Sequence, residues 1–438
     1  MSDTAVWSAL GLEQPVERKP VLDQPVLVQK FGGTSVHGPE RVRRAAQRAL
    51  AARQKGYAVV MVVSAPGKMT DELLAQAREL HPRPSRRELD VLLSTGEQIS
   101  IALMAMALEA LGQPALSLTG LQAGIKTDDN HGNARILEVD ARRIIEALQE
   151  GRVVVVAGFQ GVDSGLDITT LGRGGSDLTA VALAAALGAE ACEIYTDVDG
   201  VFTADPRVVP DARPLAVITP EEMLELASLG AQVLQPRSVE YAMRLNVPLV
   251  VRSAFGDGPG TQIRRDAYVN DMPVVSGVTC DKNTAKIAVL GVPDQPGVAF
   301  ALFKAVADRN INVDLIIQTA SRNGRADMSF TVPDEDFEAA REAAEQVAAD
   351  LGAEGVSGSR DIAKVSVVGA GMMNTPGVAA QIFGALGEAG INIEMIGCSE
   401  IKVSCVVARE EAERAVRTLH SAFNLDRPRL QQAGEASD

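Results

Sequence analysis

Cysteine, histidine, basic charge and long apolar runs are all in short supply in this 438-residue chain, and each shortage excludes a class of function. The four cysteines, Cys192, Cys280, Cys398 and Cys405, form no C-x-x-C pair, so neither a zinc site nor a disulfide framework is indicated. A reducing cytoplasm is the expected setting. His37, His81, His131 and His420 are far apart and show no H-E-x-x-H spacing, which argues against a histidine-held metal or a serine–histidine hydrolase. With 42 basic against 57 acidic side chains the net charge is -15, which repels nucleic acid but leaves small anionic substrates open. Apolar stretches such as Ile101 to Leu111 fall well short of the roughly 18 residues a membrane span needs, so no membrane partner is expected. There is no Walker G-x-x-x-x-G-K-[ST], and Gly369-Ala370-Gly371 lacks the third glycine of a dinucleotide fingerprint.

What remains is an ordinary globular composition, 46% hydrophobic and 23% charged, with length for about three domains. Residues 1–25, rich in proline, read as a flexible extension rather than a signal. From Val26, short apolar runs alternate with helical patterns, as in Val59 to Val63 and Val153 to Val156, which predicts an α/β domain with a mainly parallel sheet over 26–260. Ser94-x-x-Glu97 and Thr219-Pro220-Glu221-Glu222 both have capping-box form. The breaker cluster Gly256 to Gly260 ends that domain, and 261–283 reads as a connector.

A duplication follows. Ala285-Lys286-Ile287-Ala288-Val289 returns 78 positions later as Ala363-Lys364-Val365-Ser366-Val367, and Ile311-Asn312-Val313-Asp314 returns at an offset of 80 as Ile391-Asn392-Ile393-Glu394. Each copy reads strand, Pro-Gly turn, helix, Ile-Asn turn, strand, strand, helix, which is the ferredoxin-like βαββαβ order. The copies span 284–352 and 362–428. A duplicated module of this size points to a paired ligand-binding layer more than to catalysis.

Three glycine-containing turns carry the candidate chemistry. Lys30-Phe31-Gly32-Gly33-Thr34-Ser35 ends the first strand, where glycine amides and a lysine suit an oxyanion, and a plain tight turn suits the same residues equally. Thr169 to Asp177 contains Gly172-Arg173-Gly174-Gly175-Ser176 at a helix start, capped by Ser176 or Asp177, and reads as an anion cradle. Thr196 to Arg207, after a strand ending at Tyr195, offers Asp197, Asp199 and Gly200 to a nucleotide or its metal, or else serves as a surface loop.

In this order the three turns, together with Ser94-Thr95-Gly96-Glu97-Gln98 and Ile393 to Ser404, resemble the aspartate kinases of the amino acid kinase family, with two regulatory ACT domains. The resemblance implies phosphoryl transfer from Mg-ATP to the side-chain carboxylate of L-aspartate, opening the route to lysine, threonine and methionine. The metal would arrive with ATP, with no protein metal site and no organic cofactor. Catalysis would fall to Lys30 and Asp177. Aspartate would be held by Thr34, Ser35, Ser64, Glu97, Arg173, Gly174, Gly175 and Ser176. The nucleotide would be held by Lys30, Phe31, Gly32, Gly33, Thr196, Asp197, Phe202, Thr203, Ala204, Asp205, Pro206, Arg207 and Gln232. Lysine, threonine or both would act as effectors at Asp294, Pro296, Gly297, Val298, Asn312 and Gln318, with Asn374, Asn392 and Ile393 from the second copy. Pairing of ACT domains implies a homodimer or higher oligomer, with room for a separate ACT-only subunit. Gln232 stands where many relatives carry lysine, and this substitution carries the alternative: a weakly active or inactive regulatory paralogue that partners an active kinase.

Overall fold

The computed structural model describes residues 21–230, 233–265 and 273–427. Most of the expected extension, Gln232, and part of the expected connector lie outside these residues. The chain divides into two compact units, one from residues 1–201, 214–227 and 232–269, the other from 202–213, 228–231 and 270–438.

The first unit is built on an eight-stranded sheet in the order Val217–Ile218, Thr261–Ile263, Leu249–Ser253, Ala191–Thr196, Val26–Phe31, Ala58–Val63, Val153–Ala157, Ala115–Leu118. All pairings are parallel except that of Leu249–Ser253 with Thr261–Ile263. Strands covered on both faces need apolar side chains at every position, and Ala58–Val63 and Val153–Ala157 are buried throughout. The Gly256 to Gly260 breaker is thus a turn inside this sheet, not its end. Gly260 has φ 75°, and a Cβ there would lie 2.1 Å from the Val251 carbonyl. The domain boundary at 260 therefore moves past Ile263.

A second sheet, Ile136–Val139, Ile125–Thr127, Gln160–Val162, Ile168–Thr170, stands beside the first and carries Thr169 and Thr170. The helix Arg86–Ala110 packs against the main sheet and against Ile168–Thr170. By length and composition it is apolar enough to cross a membrane, although charged and polar residues punctuate it and its longest uninterrupted apolar run, Ile101 to Leu108, is far short of a span. Its cap is Ser85, whose hydroxyl accepts from Glu88 N at 3.4 Å. Ser94 lies inside the helix and donates to Val91 O, so the expected box at Ser94 and Glu97 does not form. No breaker separates the two serines, and a propagating helix adds a hydrogen bond per residue where a fresh start would require nucleation again. The other box forms as expected: Thr219 Oγ1 accepts from Glu222 N, and Glu222 Oε2 accepts from Thr219 N, both at 3.2 Å.

In the second unit, the first module is a complete βαββαβ layer. Its antiparallel sheet runs Ile316–Gln318, Arg325–Pro333, Thr284–Pro293, Gly355–Ser359, with helices Val298–Ala307 and Phe337–Leu351 on one face. It ends at Ser359, not at 352. The second module has the order Gly277–Asp281, Ile362–Val368, Lys402–Ala408, Met395–Cys398. Its fourth strand comes from before the first module, pairing Cys280 with Val365 and Val278 with Val367. The stretch 261–283 is therefore not a connector: its end completes the second module, and the first module is inserted into the second.

Two reciprocal ion pairs respect the duplication. Lys286 meets Glu394 at 2.8 Å, and Lys364 meets Asp314, so equivalent lysines of each copy reach equivalent carboxylates of the other. Lys364 is almost wholly buried, and the Asp314 pair offsets the cost of removing its charge from water.

Candidate active site

The carboxyl ends of the central parallel strands converge in the first unit, where ligands of open α/β sheets gather. Lys30, the penultimate residue of Val26–Phe31, lies 2.6 Å from Asp177 Oδ1 in an ion pair with side chains 12% and 8% exposed. Phe31 stacks on Tyr195 of the neighbouring strand with centroids 4.5 Å apart, and Arg48 lies 5.1 Å above the Tyr195 ring. This three-layer stack holds the strand end that delivers Lys30.

Behind Lys30 the chain turns through Gly32 and Gly33. A Cβ at Gly33 would sit 2.6 Å from the Ala65 carbonyl, so only glycine allows this approach, and Gly67 N donates to Gly33 O at 3.0 Å. The turn is thereby locked to the loop holding Ser64. Ser64 N donates to Phe31 O, and Ser64 O accepts from Ser100 Oγ at 2.8 Å. Ser35 is buried, with a hydroxyl that finds no hydrogen-bond partner among the described residues.

Glu97 reaches the same loop. Its Oε1 accepts from Ala65 N at 2.9 Å, while Oε2 is buried without a hydrogen-bond partner among the described residues. Burial pushes its carboxyl up to about 7, against the opposing pull of the Ala65 amide. A buried carboxylate oxygen with nothing to accept from is suited to a cation brought by a ligand.

The third element is the start of the helix Gly175–Ala186. Gly174, at φ 73°, is its cap, and no side chain caps it, so Ser176 and Asp177 do not fill the capping role expected of them. Both are buried, Asp177 being taken by Lys30. A Cβ on Gly174 would lie 2.0 Å from Gln235 Cγ, which places Gln235 directly against the turn. Arg173 is exposed between Gly172 and Gly174.

Lys30 to Ser35, Ser64, Glu97 and Gly174 to Asp177 are thus brought together in the first unit, with Thr196 ending, and Asp197 following, the strand that holds Tyr195. Thr203 and Ala204 are not brought to that set. Thr203 Oγ1 lies 2.9 Å from His420 Nε2 and Ala204 packs in the second module's core, so both side chains are consumed by packing in the second unit. Asp205 and Arg207 pair with each other at 2.7 Å in the same segment. Among the effector candidates, Asp294, Pro296 and Gly297 form the exposed turn before Val298, with Gly297 at φ 97°, and Asn312 and Gln318 are exposed on the same module. Asn374, Asn392 and Ile393 belong to the second.

Sequence reasoning missed Asp90, which is 1% exposed on the Glu97 helix and accepts hydrogen bonds from Gly132 N and Thr170 Oγ1. Its partners lie some 40 and 80 positions away, where no local pattern reveals them.

The chain matches the amino acid kinase family over residues 25–253, and ACT domains over 286–349 and 365–423. It is 52% identical to an aspartate kinase of Pseudomonas putida over 93% of this chain and 99% of the relative. Among solved structures it is similar to E. coli aspartokinase III in complex with aspartate and ADP, at 27% identity and TM-score 0.74, over 91% of this chain and 99% of that one. It is also similar to the same enzyme in complex with lysine and aspartate, at 28% identity and TM-score 0.70 over the same shares of the two chains.

Proposed function

The chain belongs to the amino acid kinase family as one of its aspartate kinases, and from that membership we propose how its residues move the ATP γ-phosphoryl group to the side-chain carboxylate of L-aspartate. The observation that carries the assignment of roles is the Lys30–Asp177 pair, set between two glycine turns at the carboxyl end of the sheet. A carboxylate with an ordinary pKa near 3.9 is ionised at neutral pH and needs no general base. The barrier lies in bringing one anion onto another, so catalysis rests on positioning and on positive charge.

Lys30 meets the transferring phosphoryl oxygens, and Asp177 holds its ammonium in place. The amides of Gly32 and Gly33 and the start of the Gly175–Ala186 helix cradle phosphate oxygens. The Glu97 Oε2 atom, buried and unpartnered, takes the substrate ammonium. Arg173 takes a substrate carboxylate through its planar fork. Thr34, Ser35 and Ser64 complete the aspartate site, and Mg²⁺ enters with ATP as part of the substrate. The turn at Asp294 to Val298 and the Asn312, Gln318, Asn374, Asn392 and Ile393 positions hold lysine or threonine as feedback effectors. E. coli aspartokinase III, a structural relative, is known with lysine bound. The protein works in the cytoplasm as a homodimer or larger assembly. The paralogue alternative rests on Gln232, which lies outside the described residues, and no observation favours it.

The test is trapping of aspartyl phosphate as its hydroxamate from protein, Mg-ATP and aspartate, with and without lysine and threonine. Turnover that falls with one effector is expected. Lys30→Ala is expected to lower kcat by about 100-fold or more; turnover that survives this change intact would rule Lys30 out as the ligand of the transferring phosphoryl group.

A further inference from the structure

The helix that carries Glu97 also carries Asp90, seven positions earlier, which two turns of helix place on the same face. Asp90 is a carboxylate 1% exposed to solvent. Its Oδ2 lies 2.8 Å from His131 Nδ1, the amide of Gly132 donates to both of its oxygens at 3.1 Å, and Thr170 Oγ1 donates to Oδ1 at 2.6 Å. Removing a carboxylate from water is expensive, and a core helix gains more from an apolar residue of similar size. What the carboxylate achieves instead is to tie two separate loops to one point on the helix.

Both loops lead to Arg173. Thr170 stands three residues before it, and Thr170 O accepts from Ala134 N at 2.9 Å. The 131–133 loop abuts Gly172 so closely that a Cβ there would lie 2.8 Å from Asn133 Oδ1. Arg237 Nη1 closes the circuit, donating to Asn133 Oδ1 at 2.6 Å and to Leu171 O at 3.0 Å. The Arg173 side chain itself is exposed. Its aim is therefore set by the backbone on which it stands, and that backbone is gripped by groups that Asp90 holds.

We propose that Asp90 is a positioning residue for aspartate recognition: through Thr170, His131 and Gly132 it fixes the Gly172–Gly174 turn so that Arg173 faces the substrate at a set distance from Glu97. One helix then sets both ends of the amino-acid site, one through direct contact and one through a relay. The inference rests on the reading of Arg173 as a substrate ligand.

The experiment measures aspartate affinity by calorimetry and KM and kcat for both substrates in Thr170→Val, Thr170→Ser and Asp90→Asn, each alone and combined with Arg173→Ala. Thr170→Val keeps the shape and deletes the donor. It is expected to raise KM for aspartate about tenfold while KM for ATP stays within about twofold, and Thr170→Ser restores the wild-type value. In the Thr170→Val and Asp90→Asn backgrounds, Arg173→Ala is expected to cost much less than in the wild type, because the arginine is already misplaced. Folded variants whose losses fall equally on both substrates, or add fully with Arg173→Ala, overturn the proposal. If Asp90→Asn does not fold, the Thr170 pair decides by the same criteria. Wild-type aspartate affinity that ignores Arg173→Ala would overturn the substrate reading and this inference with it, and is distinguishable because the failure then appears before Asp90 or Thr170 is touched.

Discussion

Glu97 carries a charge problem that its surroundings leave unsolved until ligand arrives. One oxygen has an amide and the other has nothing, so the folded protein holds a proton there up to about pH 7, whereas the group ionises near 4.5 without burial. Between those values the folded state binds more protons than the unfolded chain, and stability falls as pH rises through the window, by about 3 kcal/mol. Glu97→Gln is expected to abolish that slope, measurable as denaturant midpoints between pH 4.5 and 7. A substrate ammonium requires the carboxylate, so aspartate binding at about pH 6 should release close to one proton, and affinity should rise as pH approaches 7. Calorimetry in buffers of different ionisation enthalpy reads that proton directly; binding in this range with no proton release would contradict the pairing. The site was legible at this scale where its signals are local. Arg173 among its glycines stands in a short segment whose composition has few other uses, whereas Lys30 with Gly32-Gly33 reads equally as a plain tight turn until the other turns stand beside it. Asp90, Gln235 and the unpartnered oxygen of Glu97 were not legible, because each acquires its meaning from a neighbour far away in sequence.

Among the elements, Arg86–Ala110 shows how a correct rule meets a wrong position. The sequence holds two capping-box patterns nine residues apart, Ser85-x-x-Glu88 and Ser94-x-x-Glu97, and the structure uses the first for the helix start and the second for the site. Pattern alone does not choose between them. Tertiary packing does, because Gly96 sits so near Ala65 that a Cβ would approach Ala65 Cβ to 2.6 Å, drawing the middle of the helix against the Ser64 loop. Ser85→Ala is expected to cost about 1 kcal/mol and Ser85→Asp to recover it, while Ser94→Asp, at a position with no exposure, should cost more than the cap is worth. Thermal unfolding of the three variants checks this, and equal responses at 85 and 94 would show that neither serine acts as a cap. The strands were legible wherever both faces are covered, since Val59 to Val63 and Val153 to Val156 can hardly be anything else. Gly277–Asp281 was not, for its partner Ile362–Val368 lies beyond an entire module.

For the whole molecule, the plan of an α/β domain followed by a duplication was readable from hydrophobic patterning and self-similarity, and its kinase character only from the family resemblance of its motifs, whereas the boundaries were not, because neither unit is one continuous stretch. The segment 202–213 begins inside the expected nucleotide turn, Thr196 to Arg207, yet folds into the second unit, where Thr203 meets His420 and Arg213 donates to Leu425 O at 3.0 Å. A fragment comprising 273–427 is expected to fold and a fragment starting at 284 to aggregate, since the second leaves the Ile362–Val368 edge without Gly277–Asp281. Light scattering and hydrogen exchange on the two fragments separate these outcomes, and any ACT-only subunit translated from this reading frame has to start before Gly277.

The same threading imposes an order in time. On the ribosome, Gly277–Asp281 emerges before the strand it pairs with, and waits while roughly eighty residues are made before Ile362–Val368 appears, on the order of 4–16 s at ordinary elongation rates. The inserted module holds all four strands of its own sheet and both of its helices, and can close during that pause, bringing the two ends of its own insertion together at Thr284 and Ser359, which are on neighbouring strands. The early module thus acts as an assembly clamp for the late one, delivering a waiting strand to the edge it will complete.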